Sequence, residues 1–257
     1  MAVQTISSTV PVSPMRRAPN SMPRSLRGGA YYVDQILHIT GARTLFAGYQ
    51  QDCHLPLLVE RITDLDEISI DRALKRTYAV QSLAHLNLAR CIDIFVEGGA
   101  LYVAGVTGEG HILAHCPHTI GQDDAVALGI QICNALNYLS WQTTMPGALT
   151  VDPFTIFVTR WGRVKLANLA SLLGIDNSPH RDRFTAPSGH PAQQTVFGIG
   201  ATLHFLLTGW RGHYHDIPPY ISEASEEVNQ IITRALHACP DERWADTRQL
   251  RQALLAL

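Results

Sequence analysis

The chain has 257 residues and a formal net charge of −2. That length supports one large domain or two small lobes with real cores, and that charge carries no signature of a nucleic-acid or polyanion binder. Hydrophobic content of 46% beside 16% charged residues is ordinary for a soluble globular protein. No apolar run reaches the roughly 18 residues of a membrane span.

Residues 1–28 read as a disordered basic tail. They are rich in Ser, Pro and Arg, with Arg16, Arg17, Arg24 and Arg27 and no acidic residue. The prolines Pro11 and Pro14 interrupt any secretory apolar stretch, and an organelle leader is the alternative to a plain tail. Five cysteines at scattered positions (53, 91, 116, 133 and 239) give no disulfide framework and fit a reducing, cytoplasmic setting. Cys133 falls in an apolar helical pattern and is expected in a core.

Three short strands are predicted first, over residues 31–37, 45–50 and 55–62. A helix is expected over 68–86. Strands at 91–96 and 101–106 follow, joined by a hairpin turn at Gly98-Gly99. Beyond Gly110 the chain turns mainly helical. Ala125, Leu128, Ile132, Ala135 and Leu139 recur on one helical face. Short strands are expected at 156–158 and 164–166, then a helix over 196–207 stopped by Gly209. Ser222 is expected to start a helix near Glu223, and Asp246 to start the last one. The pattern is α+β and two-lobed: a small β-rich N-lobe with one helix, then a larger, mainly helical C-lobe.

Several phrases, in order, resemble a Hanks-type serine/threonine protein kinase domain in a bacterial style. They are Leu83-Ala84-His85-Leu86-Asn87, the paired strands around Gly98-Gly99, Gly162-Arg163-Val164-Lys165-Leu166, Gly198-Ile199-Gly200 with Thr208-Gly209, and Pro240-Asp241-Glu242-Arg243-Trp244. The resemblance covers residues 29–257, with the N-lobe over about 29–106 and the C-lobe over about 110–257. It implies a two-lobed kinase fold, and ATP with Mg²⁺ as cofactors.

The residues at the chemical positions do not support that chemistry. The glycine-rich loop matches His38-Ile39-Thr40-Gly41-Ala42-Arg43, so the motif glycines read His38, Thr40 and Arg43, with Gly41 left as a turn residue. The phosphate-binding lysine matches Glu60, and a one-residue slip would put Arg61 there. A charge pair at ~4 Å is worth about 4 kcal/mol near the surface, so the reversal opposes phosphate binding. The glutamate partner of that lysine matches Ala79.

With Pro153 as anchor, the catalytic aspartate, lysine and asparagine match Thr150, Asp152 and Thr155, and the metal-binding aspartate matches Asn168. A threonine is no base near neutral pH. Asn168 and Thr155 offer Mg²⁺ only neutral oxygens. Leu58 and Phe157 match the residues above and below the adenine and are expected to fill its pocket. Ser188 replaces a glutamate that would pair with Arg243, so Arg243 needs another partner; the aspartate of the central helix matches Thr195.

Asp152 reads as a solvated loop carboxylate. His111, His115, Cys116 and His118 are a metal-site candidate that Pro117 interrupts, with His213 and His215 as distant contributors, and loop histidines are the simpler reading. Trp161 and Trp210 are expected to pack over lobe edges. The combined expectation is a pseudokinase, without catalytic, cofactor or metal site, acting as a protein-binding scaffold or allosteric regulator. An active kinase is one candidate partner. The alternatives are a weak or non-standard kinase using Asp152 as base, and an ATP sensor without catalysis.

Overall fold

The structure is a computed structural model. It describes residues 24–116, 118–142, 149–175, 184–186, 188–210, 214 and 220–257. Residues 1–23, which are most of the expected tail, and the candidate ligands His213 and His215 lie outside the described residues.

The N-lobe is a six-stranded antiparallel sheet with strands β1 Arg24–Leu26, β2 Tyr31–Thr40, β3 Arg43–Gln50, β4 Pro56–Ile62, β5 Arg90–Glu97 and β6 Ala100–Val106. Their order is β1-β2-β3-β4-β6-β5. β1 lies within the span read as tail. It pairs with β2, and the residues that follow it are tied to β5 by side chains that sequence order does not reveal. The Arg27 guanidinium meets Asp93 on β5 at 2.8 Å, and the Arg27 N–H donates to Glu97 at 3.0 Å. The Tyr31 hydroxyl donates to Asp93 at 3.0 Å, and its ring stacks on Phe95. Burial and the neighbouring Asp93 carboxylate push the Tyr31 phenol well up. The hairpin turn is as expected: Glu97 pairs with Ala100, and Gly98 and Gly99 both have positive φ, +56° and +76°.

The predicted helix over 68–86 is two helices, α1 Glu67–Lys75 and α2 Thr77–Gln81, joined at Arg76. Asp66 caps α1 by accepting from the Ser69 N–H. After α2 the Ser82 hydroxyl donates to the Ala79 carbonyl and the helix stops. Such local bonding competes with helix continuation.

The C-lobe is built on α3 Gln122–Ser140, α5 Pro191–Thr208, α6 Glu226–Ala235 and α7 Thr247–Leu255, with β7 Gly110–Ile112, β8 Ile156–Thr159 and β9 Val164–Leu166 as a small sheet and α4 Leu169–Leu172 a single short turn between β9 and α5. Thirteen consecutive residues of α5, Thr195 to Leu207, are buried, which makes it the axis of the lobe. It starts five residues before the predicted point, because Pro191 is pre-shaped for a first helical position and Gln193 accepts from the His190 N–H. Gly209 ends it with φ +68°. Cys133 is buried in the core, where burial pushes its thiol up to about 12.

The cap of α6 is Ser225, not Ser222. Asn229 decides this: its side chain accepts from the Ile221 N–H and donates to the carbonyls of Ile221, Ala224 and Ser225, so 221–225 is tied down as a loop. Asp246 caps α7, accepting from the Arg248 and Gln249 N–H groups at 2.9 Å. Burial works to raise the Asp246 pKa, but these bonds and the Arg248 guanidinium outweigh it and hold the carboxyl below its ordinary value. Its contribution to stability is therefore complete above the ordinary aspartate value and is lost as pH falls through the lowered one. Melting temperatures taken from about pH 6 down to about pH 3 should fall less steeply for Asp246→Asn, which caps without titrating.

Candidate functional site

The cleft between the lobes is bounded by β4, the β2–β3 hairpin, residues 149–155 and the turn after β9. Glu60 of β4 reaches the turn after β9 through the Leu169 and Ala170 N–H groups. On β4, Leu58, Glu60 and Ile62 face the main core, and Leu57 and Val59 face a second cluster on the other side of the sheet. Glu60 stands across from Leu45, and Arg61 from Thr44. The strand alternation therefore puts Glu60, and not Arg61, in the cleft.

Glu60 is 1% exposed. An isolated buried carboxylate is costly, so its partners matter. The Arg43 guanidinium lies 3.0 Å away, with its own side chain 11% exposed. The N–H groups of Leu169 and Ala170 donate to the two carboxylate oxygens at 3.0 and 3.2 Å. Those are the first two residues of α4, whose N–H groups have no acceptor within the helix. Asn168 caps the third, accepting from the Ser171 N–H. The position matched to a metal-binding aspartate is thus a helix cap, and the position matched to a phosphate-binding lysine supplies an internal anion.

Arg43 is the partner that sequence reading missed. Its signal was available in the register. The two-residue turn Gly41-Ala42 pairs Thr40 with Arg43, and β3 then sets Arg43 across from Ile62, one diagonal step from Glu60 on the same face. Diagonal neighbours are within reach of long side chains. Gly41, at φ +48°, is a turn residue as expected.

The hairpin also closes on the C-lobe. The His38 ring stacks on Phe154 with centroids 4.5 Å apart and planes 22° apart, and His115 approaches it edge-on at 6.2 Å. Leu58 and Phe157 are 3% and 4% exposed and both belong to the main core. Ala79 lies half-buried on α2 and brings no charge.

Asp152 departs from expectation. It is fully buried, and its carboxylate accepts from the Phe154 and Thr155 N–H groups at 2.8 and 3.0 Å. The Thr155 hydroxyl donates to the Asp152 carbonyl. This carboxylate shapes the loop, because in a tight turn it is the nearest acceptor for two inward N–H groups. Thr150, Thr155 and Asn168 do converge: they line one small cavity together with Leu88, Leu136 and Leu172. Below them, Thr195 on α5 donates to the Leu149 and Pro191 carbonyls. Gly198 lets the Val151 carbonyl come so close that an added Cβ would sit 2.7 Å from it.

Arg243 has found its partners in backbone carbonyls. It donates to Ser188 at 2.8 Å, His237 at 2.5 Å and Ala238 at 2.9 Å, and lies over the Phe197 ring. The carbonyl of Ser188 takes over from the carboxylate expected at that position.

Among the described residues no three His, Cys, Asp or Glu groups are placed to hold an ion. His111 Nε2 and Cys116 Sγ are in contact at 3.1 Å, and burial pushes the imidazole pKa down and the thiol pKa up, which favours the uncharged form of each. Trp161 also departs from expectation: it is 78% exposed, with Arg160 over its face, because the β8–β9 turn projects from the lobe. Trp210 packs edge-on against Tyr214.

No protein-family model matches the sequence, and no curated protein matches it significantly. Solved structures do share its shape. A double mutant of the Mycobacterium tuberculosis PknI kinase domain matches 88% of this chain and 95% of its own, at 18% identity and a TM-score of 0.69. A second structure of that domain matches 92% and 99%, at 15% identity and the same score. A Rad53 structure in complex with AMP-PNP matches 87% of this chain and 64% of its own, at 15% identity and a score of 0.69. The fold is that of a protein kinase. At such identities the likeness carries the kinase fold and no chemistry, which must be argued from the site. No helix among the described residues of this kinase-like domain is long and apolar enough to cross a membrane.

Proposed function

We propose that this domain is a pseudokinase: a kinase fold that binds protein partners, as a scaffold or an allosteric regulator, without transferring phosphate. One observation carries the reading. The Glu60 carboxylate, buried at the position matched to the phosphate-binding lysine, already holds Arg43 and two backbone N–H groups. A nucleotide phosphate entering there meets a fixed negative charge, and the donors that would neutralise it are engaged. Phosphoryl transfer depends on positive charge and positioning at that place. The stack of His38 on Phe154 and the buried Leu58 and Phe157 support the same reading, as does a buried, doubly bonded Asp152 in place of a solvated base. An active kinase is one candidate for the partner.

The test is thermal unfolding with and without ATP, each in Mg²⁺ and in EDTA. A ligand that binds only the folded state at a hundredfold excess over its Kd adds about 2.7 kcal/mol of stability. The expected result is an unchanged midpoint at millimolar nucleotide. A clear upward shift with either condition would overturn the closed-cleft reading.

A further inference from the structure

We propose that Arg43, Glu60 and the first turn of α4 form a lock that ties the N-lobe to the segment after Asn168, so that the β2–β3 hairpin and residues 169–174 change conformation together. The inference goes beyond the pseudokinase reading and does not depend on whether nucleotide enters the cleft.

Three N-lobe elements meet this segment. Glu60 of β4 takes the Leu169 and Ala170 N–H groups, from residues 109 and 110 positions away in the chain. Gly105 of β6 receives the Leu169 side chain: a Cβ there would lie 2.4 Å from Leu169 Cδ1, so the leucine occupies the space a side chain would need. Arg76, at the joint between α1 and α2, reaches Gly174, where a Cβ would lie 2.6 Å from Arg76 Nη1. Gly174 also has φ +81°, a conformation that favours glycine.

The charged contact gives the arrangement two states rather than a continuum. A carboxylate this deeply buried keeps its place only with its cation. If Arg43 leaves with the hairpin, Glu60 must turn to water, and two N–H groups of α4 lose their acceptor. Movement of the hairpin is thereby transmitted to residues it does not touch. This is the kind of physical coupling that a pathway claim requires: a defined element whose state two places bias.

Hydrogen exchange on the full chain tests it. Arg43→Gln removes the cation without altering any group bonded to the Leu169 or Ala170 N–H. It should speed exchange at those two amides by about tenfold or more beyond any change at Ile199 in α5, as local opening does. Arg76→Ala, which leaves the ion pair intact, is the second variant and should speed exchange across Leu169 to Gly174. Parent-like protection of the Leu169 and Ala170 amides in Arg43→Gln would overturn the proposal. So would uniform acceleration that includes Ile199, since that reports a weaker fold and no local lock. Should Arg43→Gln fail to fold, Glu60→Gln is the reciprocal test, and parent-like exchange at the Thr40 and Arg43 amides of the hairpin would overturn the proposal.

Discussion

Arg43→Leu should destabilise the protein by about 3–5 kcal/mol, because it strands the Glu60 carboxylate in the interior without its cation. Urea unfolding monitored by circular dichroism measures it. The paired variant Arg43→Leu with Glu60→Leu should recover much of that loss, since removing both charges removes the desolvation cost of both. It should not recover all of it. The Leu169 and Ala170 N–H groups would then lack their acceptor, at about 1–3 kcal/mol for each that stays buried. A single Arg43→Leu variant as stable as the parent would mean that Glu60 is reached by water, contrary to its burial.

The second large effect is expected at Arg243. Its guanidinium satisfies three carbonyls and covers the Phe197 ring. Arg243→Met keeps much of the apolar stem and removes every donor, which should cost about 3–5 kcal/mol. Arg243→Lys should recover only part of this, because one ammonium cannot reproduce a planar fork aimed in three directions. The Ser188 carbonyl is 55 residues away in sequence, so its loss also releases the segment that leads into α5. Proteolysis near Ser188 that is no faster in Arg243→Met than in the parent would refute that tie.

Much of the frame was legible because local chemistry decides it. Gly98-Gly99 demands a tight hairpin, Gly209 ends α5, and Asp246 starts α7. These features depend on a few adjacent residues. The misreadings share a different cause. β1 pairs with β2, and beside it Arg27 and Tyr31 find Asp93 and Glu97 far along the chain. Ser225 outcompetes Ser222 as a cap because Asn229 reaches back to bind the loop before it. Asp152 looked like a solvent-facing carboxylate because nothing next to it in sequence shows that the loop folds its N–H groups inward.

The candidate site shows the same division. Position by position, the sequence gives the residues that stand where a kinase carries its chemistry. What those residues do instead depends on who meets them. Glu60 was weighed against a phosphate, yet the group it meets is Arg43, brought alongside by strand register. Asn168 was weighed as a poor metal ligand, and its side chain caps a turn.

The ties from Arg27 to β5 also bear on how this protein behaves at high concentration. An open sheet edge is a template for pairing with another molecule, and natural proteins blunt such edges with short strands and charged side chains. Here one edge strand, β1, has only three residues, and the other, β5, carries Asp93 and Glu97 already engaged by Arg27. The residues that curl the sheet are thus the same residues that guard it against self-association. Loss of Arg27 would expose that liability first, as aggregation of a protein that still folds.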